Sequence, residues 1–147
     1  MSEPLSAPYL LQFTYTRTTG PVIGRFLTGL RDARIEGVRT RSGKVLVPPV
    51  EYDPETSEPT ADFVEVGQAG VVTSYTWVNE PRALHPLQKP FAFALIKLDG
   101  ADTAMVHAVD AGSENAMKTG MRVKVRWAEE RVGFITDIAC FVPEASS

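Results

Sequence analysis

Two histidines, one cysteine and a strand carrying alternate cations are the residues whose types can support chemistry in this chain. Arg122, Lys124 and Arg126 are spaced two apart within MRVKVRW. On a strand that spacing puts all three on one face, where they can follow a phosphate backbone, meet an acidic protein surface or hold a phosphate-bearing cofactor. Tyr75 and Trp77, also two apart in GVVTSYTWVNE, supply the aromatic pair that a base-stacking site needs. The competing reading is a solvated strand face. Acidic residues number 18 against 15 basic ones, and a net charge of -3 does not favour wrapping a polyanion.

Catalytic sets are harder to find. His107 lies in the alternating segment TAMVHAVD, as a packed or rim residue does, whereas His85 sits in the polar, proline-bearing loop PRALHPLQKP. With Arg82, Lys89 and the Tyr75/Trp77 face, His85 makes a candidate contact set for the nucleotide and phosphates of an acyl-CoA, or for a partner protein. Cys140 falls inside the β run IACFV and reads as a small buried thiol. No Gly-x-Ser-x-Gly elbow occurs. Gly43-Lys44 lacks the upstream glycine and following hydroxyl of a phosphate loop, and Glu129-Glu130 reads as a hairpin tip. No catalytic residue, metal or cofactor is expected.

The elements that must position these residues divide the chain in three. Residues 1–36 combine a short strand, from the alternation in LLQFTYTR, with a helix over TTGPVIGRFLTGLRDAR that has Pro21 in its first turn. Val22, Ile23, Phe26, Leu27 and Leu30 share one face of that helix. Gly24 and Gly29 inside it each cost about 1 kcal/mol relative to alanine, so the helix must be held by packing.

Residues 37–60, rich in proline, glycine and threonine, have the two turns of a small metal knuckle without its cysteines. Residues 61–147 alternate in short β segments. Their order of three strands, a linker helix in GSENAMKTG and two more strands predicts a five-stranded OB-fold barrel. In MRVKVRW the odd residues face its core and the even ones water. At 147 residues and 44% hydrophobic, one core with a small appendage is expected. A single cysteine, no apolar run of membrane-spanning length and the polar start MSEPLSAP predict a cytoplasmic protein.

In this order, the helix, GVRTRSG with VLVPP and EYDP, FVEVGQAGVVTSYTWV, PFAFALIKLDG and GMRVKVRW resemble the acyl-CoA-associated OB-fold family called domain of unknown function thirty-five. The resemblance runs from about Thr19 to Pro143, and the opening YTRTTGPVIGRFLTGLRDARIEGVR is most similar to the actinobacterial branch tied to sterol side-chain degradation. It implies an N-terminal helix, a rubredoxin-like zinc ribbon and an OB-fold. It also implies partners among lipid-transfer-type thiolases and steroid side-chain aldolases.

The family's four zinc-ligand positions fall here on Arg39, Ser42, Asp53 and Thr56, while Gly43, Pro48, Pro49 and Pro54 keep the turns. Arginine cannot ligate zinc, and one aspartate cannot replace four thiolates. The knuckle is therefore expected to stand without metal, held by Val45, Leu46, Val47 and Tyr52 packed on the barrel, with an Arg39–Asp53 ion pair conceivable across the former site.

The function implied is a non-catalytic subunit of a thiolase-like enzyme acting on acyl-CoA substrates in lipid or sterol side-chain degradation. Phe26, Leu27 and Leu30, with Tyr15 beside them, are the candidate partner interface, against the alternative that the helix packs on its own ribbon. Two other readings stay open: an autonomous acyl-CoA or lipid binder, and a single-stranded nucleic-acid binder.

Overall fold

In the computed structural model, which describes residues 2–145, the elements run α1 (Pro21–Arg31), β1 (Glu36–Arg39), β2 (Val45–Leu46), β3 (Asp62–Glu65), β4 (Ala69–Val78), β5 (Phe91–Leu98), β6 (Met105–Val109), β7 (Arg122–Trp127) and β8 (Ile138–Pro143). Single 3-10 turns occupy Glu114–Ala116 and Ile135–Asp137. Strands β4 to β8 close a barrel in the order β4-β5-β6-β8-β7, with only β6 and β8 parallel. This is the OB-fold that the strand order predicts. The register of β7 is also as read: Val123 is fully buried, Val125 and Trp127 pack against the core, and Arg122, Lys124 and Arg126 are exposed.

Closure depends on β4. Ten residues long, it pairs with β5 along its length and with β7 over Ala69–Val71. A register shift between Val72 and Ser74 bends it from one partner toward the other, as bulges do at barrel corners. Gly70, two residues before the shift, pairs with both Leu98 and Val123, and an added Cβ there would collide with the Lys97 carbonyl. The linker helix expected between β6 and β7 is reduced to the Glu114–Ala116 turn.

A second, three-stranded sheet, β2-β1-β3, stands beside the barrel. It takes β3 from the stretch read as the start of the OB domain, because Asp62–Glu65 pairs with β1 alone. Helix α1 cements the two sheets. Phe26 (3% exposed) and Leu30 (0%) enter the same core as Ile35, Val45 and Val47 of the small sheet and Val72, Ile96, Val123 and Phe141 of the barrel. Phe26 and Leu30 are thus internal, which corrects their reading as partner anchors; Leu27 is half-buried and Tyr15 is 78% exposed.

The weak helix former works because its glycines serve contacts. A Cβ at Gly29 would press on the Arg34 carbonyl at 3.1 Å. The N–H groups of Val22 and Ile23 donate to Glu51 Oε1 at 3.2 and 3.3 Å, so a distant carboxylate caps the first turn. Arg25 grips Glu36 through two 3.0 Å bonds and lies 4.0 Å over the Phe63 ring. Its guanidinium holds the largely buried Glu36 carboxyl below the ordinary range.

The strand expected in LLQFTYTR does not form. Residues 2–20 carry no secondary structure and every side chain there is exposed. The alternation is present, but no edge of this chain pairs with it.

Candidate functional site

The knuckle is the first candidate because the sequence resemblance implies a zinc ribbon there, and its donor set does not fit that ion. Arg39, Ser42, Asp53 and Thr56 offer one carboxylate and two hydroxyls, and the described residues contain no cluster of three or more histidines, cysteines or carboxylates suited to a metal. Hydrogen bonds link the two turns instead. Buried Asp53 accepts the Arg41 N–H at Oδ2 (2.9 Å) and the Glu55 N–H at Oδ1 (2.8 Å), while its own N–H donates to the Glu58 carbonyl. The N–H of Arg41 foremost, then that of Glu55, hold this carboxyl below its ordinary value. Thr40 and Ser42 share a 3.0 Å hydroxyl bond, and Lys44 pairs with Glu55 at 2.7 Å. Arg39 does not reach across to Asp53; it pairs with Asp62 at 3.3 Å on the neighbouring strand. Val45 and Val47 join the core as expected, Leu46 packs with Val22 and Val38, and Tyr52 is left exposed.

The second candidate is the loop from β4 to β5. Within it the His85 Nδ1 accepts the Arg82 N–H at 3.0 Å, and the Gln88 amide donates to the carbonyls of Arg82 and His85. The His85 ring stands edge-on to Phe91 and Phe93 at 5.7 and 5.9 Å. His85 therefore shapes the loop. Lys89 is also engaged: its Nζ lies 2.9 Å from Asp110 Oδ2, which also takes Arg126 Nη1 at 3.1 Å. Burial opposes ionisation of Asp110, but the bonds from Lys89 and Arg126 outweigh it and keep the carboxyl below its ordinary value. Tyr75 and Trp77 pair with Ala94 and Ala92 and pack inward against the core, the Tyr75 hydroxyl donating to the Met117 carbonyl. Arg82, His85 and Lys89 share one loop; Tyr75 and Trp77 belong to the barrel's interior side.

What that loop does build is a cleft that no linear motif announced. Its Pro86 and Leu87, Phe93 from β5, Val106, His107 and Ala108 from β6, the Ile135–Thr136 turn and Ile138–Ala139 of β8 enclose about 400 Å³. The cleft opens where β6 and β8 are joined by one bridge, Val109 to Phe141. OB-folds take ligands on the face of their second and third strands, between the first and last interstrand loops, and the cleft occupies that place. Its lining is apolar. Of the lining, Val106 is 62% exposed and Ile135 is exposed as well, and in the neighbouring loop Phe134 (62%) and Val132 are also exposed. The signal in the sequence was Val106 on an outward-facing position, together with the apolar run VGFI in a loop.

The polar members of the lining are Thr136 and His107, and His107 is the one that can titrate. Its Nδ1 accepts the Ala108 N–H at 2.9 Å and its ring meets Phe141 edge-on at 5.4 Å. Burial pushes its pKa below the ordinary value, so the ring is neutral near pH 7. Cys140 is fully buried and burial raises its thiol pKa, which removes it as a nucleophile. Among the described residues neither histidine hydrogen-bonds a serine, cysteine or carboxylate side chain. The basic face is largely neutralised as well. Arg122 is held by Asp99 at 2.6 and 2.7 Å and by Glu144 at 2.8 Å, and Arg126 by Asp110, leaving Lys124 as the unpaired cation of the three among the described residues. An apolar cleft beside a compensated strand face suits an aliphatic group or a protein surface better than a polyanion.

Comparison with known proteins places this geometry. Residues 63–128 match the family model of the ChsH2 C-terminal OB-fold domain. Among solved structures, a protein of unknown function from the DUF35 family of Sulfolobus solfataricus is similar with a TM-score of 0.59 and 24% identity, over 73% of this chain and 77% of that one. The Ltp2-ChsH2(DUF35) aldolase is similar with a TM-score of 0.62 and 22% identity, over 81% of this chain and 91% of that one. At these identities the structural likeness speaks for the fold. No curated protein sequence matches the chain.

Proposed function

We propose that this chain, whose residues 63–128 match the ChsH2 C-terminal OB-fold model and whose fold is similar to that of DUF35 structures, is a non-catalytic accessory subunit of a thiolase-superfamily enzyme, either a thiolase or an aldolase. The enzyme acts on acyl-CoA substrates, in lipid or sterol side-chain degradation. The observation that carries the reading is the open apolar cleft on the ligand face of a barrel whose histidines and cysteine are occupied or buried. Catalysis at a carbonyl needs an activated nucleophile or a matched acid and base, which the partner subunit supplies. The cleft then forms one wall of the channel that receives the acyl portion of the substrate, where its apolar lining excludes water.

The test is reconstitution of the full chain with a lipid-transfer-type thiolase or aldolase subunit of the same source. The expected result is a stable hetero-oligomer by size-exclusion chromatography and light scattering. Two proteins eluting independently at micromolar concentrations would contradict it.

A second reading, an autonomous acyl-CoA or lipid binder, draws on the size of the cleft, since about 300–1,000 Å³ is the usual range for small-ligand sites. Calorimetry separates the two. Saturable binding of octanoyl-CoA by the chain alone favours the binder; binding that appears only in the complex favours the subunit.

A further inference from the structure

The structure leaves the N-terminal arm without any contact that would account for its composition. Leu5, Tyr9, Leu10, Leu11, Phe13 and Tyr15 are exposed by 66% or more, reaching 104% at Leu5. From Pro4 to Thr16 the arm carries no charged side chain. Large apolar groups concentrated this way on one exposed segment mark an interaction site. Six such side chains can bury together about 900 Å², comparable to one side of a standard protein interface.

The pattern also specifies how the arm binds. Tyr9, Leu11, Phe13 and Tyr15 recur every second residue, opposite Leu10, Gln12, Thr14 and Thr16, and the set is rich in aromatic and β-branched residues. In extended form it spans roughly 20 Å and lays four large side chains along one face. No edge of this chain is paired with it or matches its length and apolar face. The barrel is closed, and the outer edge of β2 is occupied by Asp102 and Thr103, which bind the Val45 and Val47 N–H groups. The remaining edge, β3, is four residues long and begins and ends in carboxylates, Asp62 and Glu65.

We infer that residues Tyr9–Tyr15 form a docking strand that adds to an exposed sheet edge of the enzyme subunit, with Tyr9, Leu11, Phe13 and Tyr15 filling an uncharged apolar groove beside that edge. The inference rests on the accessory-subunit reading. The arm supplies tethering, and the cleft remains free for the substrate channel.

The test uses the full chain and the thiolase-superfamily subunit, with binding followed by calorimetry. The variant carries Leu11→Ser, Phe13→Ser and Tyr15→Ser together. Because these side chains are 66–78% exposed and join no core cluster, its melting temperature should equal that of the wild type, while its Kd for the subunit rises by about 100-fold or more. NMR hydrogen exchange on the complex adds a readout specific to strand pairing. Amides from Tyr9 to Tyr15 should exchange freely in the isolated chain and become protected at alternate residues in the complex. Equal Kd values for wild type and variant would overturn the docking strand and leave the accessory role standing. A wild-type chain that does not bind the subunit overturns both. Concentration-dependent dimerisation of the chain alone, lost in the variant, would assign the arm to a second copy. Co-sedimentation with phosphatidylcholine vesicles, lost in the variant, would assign it to a lipid surface. Either of these results also overturns the proposal.

Discussion

The arm and the helix that follows it are neighbours in sequence and opposites in structure. Both are apolar and both have a regular period, yet Phe26 and Leu30 are buried at the junction of two sheets while Phe13 and Tyr15 are largely exposed. The helix has an internal acceptor: its small glycines approach the Arg34 carbonyl and the Thr19 side chain, and Glu51 caps its first turn. The arm has none, because the barrel is closed and the small sheet's free edge, β3, is four residues long with a carboxylate at each end. An apolar face therefore says that something must cover it. The topology around it decides whether that cover is the chain itself or another molecule.

The sharpest way to break this contrast is charge insertion. Phe26→Asp with Leu30→Asp puts two carboxylates into the core, a cost of several kcal/mol each against a total stability of about 5–15 kcal/mol, so the double variant should be unfolded by circular dichroism. The same pair of changes at Phe13 and Tyr15 should leave the melt superimposable on wild type. A folded, cooperatively melting Phe26→Asp/Leu30→Asp protein would show that the helix is detachable and would restore it as an interface.

A smaller effect is expected at the knuckle. Asp53→Ala removes the acceptor of two backbone N–H groups from a buried position, and the melting temperature should fall by several degrees, whereas a chelator should leave it unchanged. Acid should act at the same place. Asp53 and Glu36 have carboxyl pKa values below their ordinary 3.8 and 4.5, so their stabilisation is complete above those values and is lost as pH falls through the lower folded ones. Asp53→Ala should flatten the acid limb of the stability curve. An unchanged limb would mean that other carboxylates control it.

Substitutions at the cleft should spare stability and alter function. Val106→Asp places a charge on an already exposed position, so the fold should persist while acyl-CoA turnover by the complex drops about tenfold or more. Arg82→Ala should do least, since the loop uses the Arg82 backbone rather than its guanidinium. A large loss of turnover there would return the loop's cations to the contact role expected from the sequence.

The barrel was legible because its signal is local: period-2 alternation in β7 and the strand order through β8 each follow from adjacent residues. The knuckle's turns were legible for the same reason, but not its fastening. Asp53 binds an amide twelve residues away, and the imagined partner Arg39 turns to Asp62 across a strand pair. The cleft was invisible as a unit because it draws on the β4–β5 loop, β5, β6, the Ile135–Thr136 turn and β8, brought together only by closure. Tyr75 and Trp77 were rightly placed on one strand face. Which face points inward was fixed by pairing with Ala94 and Ala92, which alternation within β4 alone does not reveal.

In the proposed role this chain completes another protein's active site without chemistry of its own. The most direct test of that role measures acyl-CoA cleavage or condensation by the purified chain, by the thiolase-superfamily subunit, and by their stoichiometric mixture. The expected result is no turnover from the chain, weak or no turnover from the subunit, and a marked gain in the mixture that Val106→Asp removes. Turnover by the isolated chain, or a mixture no more active than the subunit alone, would contradict it.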